Sequence, residues 1–320
     1  MSVDPKALIV TVNFRQAECA LRLLDSVCPL EGFASCHLVI VDNHSGDGSA
    51  ERIGQASSNL RNVELLASPN NRGYFGGAKW ALEQYLAQHR MPDWVIVCNN
   101  DIVFDDPGFL AKLLERDPAA LGVIAPAVIS RLTGHDANPC IRRRPSLFRM
   151  WRYRFLLSNY WIAWLAQWLA PSVRKMRHSL NARRENGDGK TAIDAPSIYA
   201  PHGSFIIFSR RFFDAGGFID DAFFLYAEEF CVAEMCRQLN LPIIHDADLS
   251  VWHEQGQTLG RMLSRDAYAH QKNGFRYALV RYKDSYPELA ATTGPTRTVT
   301  TTTPEANERH PVSAAGDRLR

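Results

Sequence analysis

Four short runs rich in aliphatic and β-branched residues, each followed by a polar loop or turn, constrain this chain most. They are Ala7 to Val12 (ALIVTV), His37 to Val41 (HLVIV), Val63 to Ala67 (VELLA) and Trp94 to Cys98 (WVIVC). A continuous apolar run such as the first reads as a strand covered on both faces, the habit of parallel sheets. Helical spacing fills the gaps: Ala17 to Val27, a helix opening near Ser49, and a long helix running to about His89. Strands alternating with helices predict a parallel α/β sheet. Such sheets bind ligands beyond the carboxyl ends of their strands. Three polar loops fall there: Asp42 to Ser49 (DNHSGDGS), Ser68 to Gly77 (SPNNRGYFGG) and Asn99-Asn100-Asp101.

Further along, Phe109 to Arg116 reads as a helix and Val123 to Ile129 as a strand. The alternation then breaks for an insert over 132–191. Ser204 to Ser209 resumes the sheet, Glu228 to Leu239 is helical, and Pro242 to Asp246 and Leu249 to His253 read as two short strands. Tyr268 to Tyr282 is a last amphipathic helix. Residues 290–320 are Ala, Thr, Pro and charge, and are expected to stay disordered for want of apolar surface to bury. One large domain over 1–289 is therefore expected, and 46% apolar residues suffice for its core.

The net charge of +2 says nothing about partners, and no nucleic-acid partner is expected. The seven cysteines (19, 28, 36, 98, 140, 231, 236) form no CxxC pair and no regular spacing, which reads as reduced thiols of a cytosolic protein. The opening MSVDPKALIVTVNF enters a strand directly, so no secretory signal is expected. No stretch of about eighteen residues is free of polar groups, so no spanning helix is expected either.

Four places carry candidate chemistry. Asp42 ends the second strand, where a carboxylate accepts hydrogen bonds from a base or ribose; capping of the next helix is the structural alternative. Asn100 and Asp101 follow the fourth strand, where oxygen ligands suit a divalent cation bound to diphosphate; a plain Asx turn is the alternative. His253 ends a strand before a glycine loop, as a metal or phosphate contact or as a structural residue. Glu228 and Glu229 open a helix behind Phe223, Phe224 and Tyr226. Either they are a desolvated catalytic pair or they simply favour the helix dipole. Neighbours on a helix point about 100° apart, so one of the two faces a given substrate atom.

In order, VTVNF, VDNHSGDGS, SPNNRGYFGGA, NND, GSFIIFSRRFFDAGGFIDDAFFLYAEE, HEQGQT and the Tyr268 to Tyr277 segment resemble the family 2 glycosyltransferases of GT-A fold. The resemblance covers roughly residues 6 to 285 and is nearest to nonprocessive, rhamnosyltransferase-like members that build bacterial surface polysaccharides. It implies a Rossmann-like, mostly parallel sheet and a nucleotide-sugar donor, dTDP-rhamnose or another nucleoside-diphosphate hexose. The implied acceptor is a saccharide or polyprenyl-linked saccharide, with Mg²⁺ or Mn²⁺ as cofactor and inversion at the anomeric carbon. Carried over residue by residue, it puts Thr11 and Asn13 at the nucleotide, Asp42 on the base or ribose, and Asn71, Gly73 and Tyr74 along the donor pocket. Asp101 takes the metal position with Asn100 beside it, His253 helps hold metal or diphosphate, and Glu229 is the base with Glu228 in support. Three departures stand out: Glu for the usual Asp at 229, Cys231 where an acid is common, and Met235 where Arg is common.

The insert has its own character. No Asp or Glu occurs from Ala137 to Arg184, and four of the seven tryptophans lie between Trp151 and Trp168. Arg142, Arg143, Arg144, Arg149, Arg152 and Arg154 precede or enter that stretch; Arg174, Lys175, Arg177, Arg183 and Arg184 follow it. Read as one helix, it places Trp161, Trp164, Leu165 and Trp168 on a common face. Tryptophan and arginine around a short apolar core describe a helix lying in the membrane plane. That reading makes the protein peripheral on the cytoplasmic face of the plasma membrane. A buried core helix and a homodimer contact are the other two readings. For the whole chain, the rivals to a glycosyltransferase are a nucleotidyltransferase and a non-catalytic membrane scaffold.

Overall fold

The computed structural model describes residues 4–169, 197–254 and 263–285. Its first half is the expected alternation: β1 (Ala7–Asn13), α1 (Ala17–Val27), β2 (Cys36–Asp42), α2 (Ser49–Ser57), β3 (Val63–Ala67), α3 (Tyr74–Leu86) and β4 (Trp94–Asn99). Next come β5 (Ile102–Val103), α4 (Phe109–Leu114), β6 (Val123–Ser130), α5 (Leu147–Leu156) and α6 over 160–169. The chain returns through β7 (Phe205–Ser209), α7 (Arg210–Asp214), α8 (Glu228–Gln238), β8 (Ile243–His253) and α9 (Arg265–Arg281).

The strands form one sheet in the order β3-β2-β1-β4-β7-β6-β8-β5. The first four run parallel, and β8 runs parallel to β6. β7 is antiparallel to both of its neighbours, and β5 is antiparallel to β8. Side chains alternate along a strand, so β1 feeds two cores. Leu8 and Val10 pack with Phe75 and Tyr85 of α3 and Cys231 of α8. Ala7 and Ile9 pack with Leu23 and Leu24 of α1 and Phe109 and Leu113 of α4. Helices on both faces are why these strands read as continuous apolar runs. Each fully buried Leu, Ile or Phe in these layers contributes about 1.5–3 kcal/mol.

The order places the site. From β1 the chain steps outward to β2 and β3, then returns to β4 on the other flank of β1. The carboxyl ends of β1 and β4 therefore form the switch point where α/β sheets take ligands. Because β7 runs antiparallel, its first residue, Phe205, pairs with Cys98 near the end of β4. His202, Gly203 and Ser204 are thereby brought to the same edge, with Asn99 N–H donating to Ser204 O at 2.8 Å.

Two expectations change. The two short strands before His253 are one strand, β8, whose register with β6 jumps from Pro126↔Asp246 to Ala127↔Ser250. Ala247, Asp248 and Leu249 bulge out, which is where the sequence pattern breaks. The tryptophan stretch is two helices rather than one. It breaks at 157–159, and Asn159 Oδ1 restarts the chain as α6 by accepting Trp161 N–H at 2.8 Å. The expected tail over 290–320 and the basic residues Arg174 to Arg184 lie outside the described residues.

Candidate active site

The loops after β1, β2 and β4 are latched together by one side chain. Asn13 Nδ2 donates to Asp42 Oδ1 at 3.0 Å, and Asn13 Oδ1 accepts from Asn100 Nδ2 at 2.9 Å. Asp42 Oδ2 accepts the Ser45 N–H at 3.1 Å. Asp42 is thus not the cap of α2; Asp47 meets the first helical amide, that of Ser49, at 3.1 Å. A second latch joins the loops after β2 and β3. Asn43 Nδ2 donates to Asn71 Oδ1 at 2.9 Å and to Gly73 O at 3.0 Å, while its Oδ1 accepts Arg72 N–H. Gly73 has φ +74°, and a Cβ there would lie 2.3 Å from Phe224 O. The Tyr74 N–H donates to that same oxygen at 3.2 Å. The predicted donor loop is therefore fastened to the aromatic run ahead of the two glutamates.

Asp101 and His253 meet across the β5–β8 edge. His253 Nε2 lies 3.1 Å from Asp101 Oδ1, and the Glu254 N–H donates to Asp101 O at 3.0 Å. Among the described residues no group of three or more His, Cys, Asp or Glu side chains is arranged to hold an ion. A carboxylate oxygen and an imidazole nitrogen are nevertheless a fitting pair for Mg²⁺ or Mn²⁺ that takes its remaining ligands from a diphosphate and water. Asn100 sits beside them, its amide turned to Asn13.

The two glutamates open α8 in unlike surroundings. Glu228 is buried, and burial together with the neighbouring Glu229 charge pushes its carboxyl up to about 8, against an opposing pull from backbone amides. Glu229 is half-buried, and its Oε1 accepts the Gly203 N–H at 3.1 Å. The aromatic run divides as well. Phe223 is core, its ring tilted against those of Phe75 and Tyr277, while Tyr226 is exposed on a left-handed backbone with φ +73°. Cys231 and Met235, the two departures after Glu229, are both buried in the hydrophobic core.

Seven buried side-chain polar atoms lack a hydrogen-bond partner among the described residues; three belong to predicted site residues, Thr11 Oγ1, Tyr74 Oη and Glu228 Oε1, and a fourth, Asp101 Oδ1, has only its contact with His253. Burial pushes the Tyr74 hydroxyl well above its ordinary range, keeping it a neutral donor. An unmet buried polar group costs about 1–3 kcal/mol. Three among the predicted site residues are the mark of a site shaped for a polar ligand.

Residues 8–214 match the family model described as Glycosyl transferase family 2. The chain belongs to that family. As a family 2 glycosyltransferase it is similar to the N-acetylglucosaminyl-diphospho-decaprenol L-rhamnosyltransferase of Mycobacterium tuberculosis strain H37Rv. The two are 24% identical over 260 residues, which cover 77% of this chain and 75% of the relative. Its fold is similar to that of GalNAc-T7 solved with UDP, GalNAc and Mn²⁺: TM-score 0.55 at 13% identity, covering 91% of this chain and 52% of that one. It is also similar to S. aureus TarS 1–349 in complex with UDP-GlcNAc: TM-score 0.52 at 12% identity, covering 86% and 66%. The chain thus spans between half and two thirds of these two structures, and the likeness is one of fold, the GT-A fold expected above.

Sequence reasoning missed two residues of this glycosyltransferase's site edge. Asn43 stands next to Asp42 and carries the second latch; the Asp-Asn pair at a strand end was its signal. His202 precedes β7, its ring 6.0 Å from that of His253 between centroids. Burial lowers its pKa and so favours a neutral ring, against the opposing pull of the Glu229 charge. A single His ahead of a strand carries no pattern.

Proposed function

We propose that this glycosyltransferase moves one sugar per turnover from a nucleoside-diphosphate donor to a lipid-linked saccharide in bacterial surface polysaccharide synthesis. The donor is dTDP-rhamnose or another nucleoside-diphosphate hexose. One observation carries the reading: Asp42, the Asp101–His253 pair and Glu229 converge on a single sheet edge whose buried polar atoms await a ligand. The mycobacterial relative, whose name specifies rhamnosyl transfer and a decaprenol-linked saccharide, supports the acceptor class.

Asp42 takes the base or ribose, with Thr11, Asn13, Asn71, Gly73, Tyr74 and Asn100 around the donor. Asp101 and His253 would hold Mg²⁺ or Mn²⁺, which when bound offsets charge on the departing diphosphate. Glu229 receives the acceptor hydroxyl's proton as that oxygen attacks the anomeric carbon, and the single displacement inverts the configuration. With Oε1 tied to Gly203, Oε2 is the oxygen left for the proton. Glu228, kept neutral by burial, adds no second negative charge beside an anionic donor.

The acceptor side also favours a membrane. Phe148, Trp151, Phe155, Trp161, Leu165 and Trp168 on α5 and α6 are exposed, which argues against the core-helix reading. Arg142, Arg143, Arg149 and Arg152 are exposed around them, whereas Arg144 is engaged with buried Glu234 at 3.0 Å. No helix among the described residues is long and apolar enough to cross a membrane. α5 packs on α9 through Met150 and Leu279, and α6 packs on it through Tyr160, whose ring lies 5.6 Å from that of Tyr268 between centroids. Gly274 of α9 in turn lies against Leu225 O and Ala227, just ahead of the glutamates. A protein docked by this face at the inner leaflet would hold its acceptor side toward a lipid-linked saccharide.

The test is nucleoside-diphosphate release from a panel of sugar nucleotides with Mg²⁺ or Mn²⁺ and a polyprenyl-linked acceptor, for the native protein and Glu229→Gln. Removing a general base lowers turnover by roughly 10²–10⁴-fold, with donor binding kept. No release with any donor, or an unaffected Glu229→Gln, sinks the reading. Release of pyrophosphate would instead make it a nucleotidyltransferase.

A further inference from the structure

Resting on the glycosyltransferase reading, we infer that His202 is a substrate-binding residue whose Nε2–H donates to an oxygen of the donor's diphosphate. Its place is set by the fold. The loop before β7 lies at the carboxyl edge of β4, and Asn138 Oδ1 accepts the His202 N–H at 2.8 Å. Asn138 is itself buried and tied to Pro126 O at 2.8 Å, so the backbone that carries the imidazole is firmly held.

The ring's tautomer follows from its neighbours. The Ser204 N–H approaches His202 Nδ1 at 3.3 Å, and Ser204 Oγ lies 2.7 Å from the same nitrogen. A backbone N–H can only donate, so Nδ1 accepts and a neutral ring carries its proton on Nε2. A protonated Nε2 offers no lone pair to a metal, which separates His202 from the Asp101–His253 pair next to it. No hydrogen bond to Nε2 occurs among the described residues. The ring stands 6.0 Å from His253 between centroids, and the next residue, Gly203, holds Glu229. A donor so placed lies between the diphosphate end of the site and the base. The leaving diphosphate is the oxygen-rich, anionic group that belongs there, and a neutral N–H serves it without adding a charge that would hold the product.

The experiment is titration calorimetry with dTDP, UDP and GDP, each beside its monophosphate, in MgCl₂. The proteins are the native chain, His202→Ala and His202→Gln, whose amide reaches near the Nε2 position. His202→Ala should weaken the diphosphate roughly tenfold, the worth of one charge-assisted hydrogen bond, and leave the monophosphate within about twofold. His202→Gln should recover part of the loss. Equal loss for both nucleotides, or no loss, overturns the inference. A native chain that binds none of the six nucleotides overturns the glycosyltransferase reading first, and the inference with it. Long-range proton–nitrogen spectra of ¹⁵N-histidine-labelled native protein give a check that needs no variant: an Nδ1–H tautomer at His202 also overturns it.

Discussion

Gly203 and Glu229, twenty-six positions apart, touch so closely that any side chain at 203 must displace the carboxylate. The Gly203 N–H donates to Glu229 Oε1 at 3.1 Å, and a Cβ on residue 203 would lie 2.6 Å from that oxygen. The clash is with the far end of a flexible side chain, so Gly203→Ala should fold with its melting temperature little changed. The carboxylate, however, must move. A displacement of about 1 Å at a reacting group can cost about 10²-fold. Turnover of Gly203→Ala should therefore fall by about that factor while donor affinity holds, as steady-state kinetics beside donor calorimetry would register.

Gly73 makes the contrasting case. A Cβ there would lie 2.3 Å from Phe224 O, which is backbone, and φ is already +74°. Neither conflict is relieved by a rotamer change. Gly73→Ala should lose more than about 1 kcal/mol of stability and part the donor loop from the Phe224 segment. Urea midpoints for the two alanine variants should separate clearly, with Gly73→Ala the lower.

Glu228 predicts a pH dependence. A carboxyl that holds its proton more tightly when folded stabilises the fold below its unfolded value and loses that contribution as pH rises to the folded one. Here the window runs from the ordinary 4.5 to about 8. Across it Glu228 should lower stability by up to about 1.4 kcal/mol per pH unit. Glu228→Gln keeps the shape of the neutral acid and does not titrate. Its urea midpoint should fall less than the native protein's between pH 6 and 8, with the two nearly equal at pH 5. Parallel curves would mean that Glu228 finds a counter-charge.

How much of this was legible in the sequence follows from where each residue's partners lie. β1 and β2 were plain because both faces of each strand are buried, which leaves no polar alternation to confuse the pattern. Asp42 and Asp101 were found because strand ends are where such sheets bind ligands. β5 was invisible, since two residues carry no periodicity. The helix break at 157–159 has no Gly or Pro, and its one signal was Asn159 standing two residues ahead of Trp161 as a cap. His202 could not be read at all. Its partner Asn138, and the Glu229 held by the next residue, reach it only through the tertiary fold, which local sequence does not state. The different roles of Glu228 and Glu229 depend likewise on burial that adjacent identical residues do not disclose.

The exposed aromatic face of α5 and α6 yields the last prediction. Trp161 and Trp168 are 63% and 59% exposed, a large apolar area to leave in water, and Arg149 and Arg152 of α5 are exposed too. Interfacial binding combines buried aromatic surface with attraction of roughly 1 kcal/mol per cation near an anionic leaflet. The native chain should therefore sediment with phosphatidylglycerol-containing vesicles and release as salt is raised. Replacing Trp161 and Trp168 by Ala should weaken that binding at least about tenfold, and Arg149 and Arg152 to Ala by a similar factor that vanishes in high salt. Both pairs lie away from the nucleotide loops, so donor affinity should be unchanged in each. Activity on a water-soluble acceptor should persist, while activity on acceptor presented in vesicles should fall with vesicle binding. If the tryptophan pair instead alters sedimentation velocity of the protein alone, the face joins two copies of the chain and the membrane reading fails.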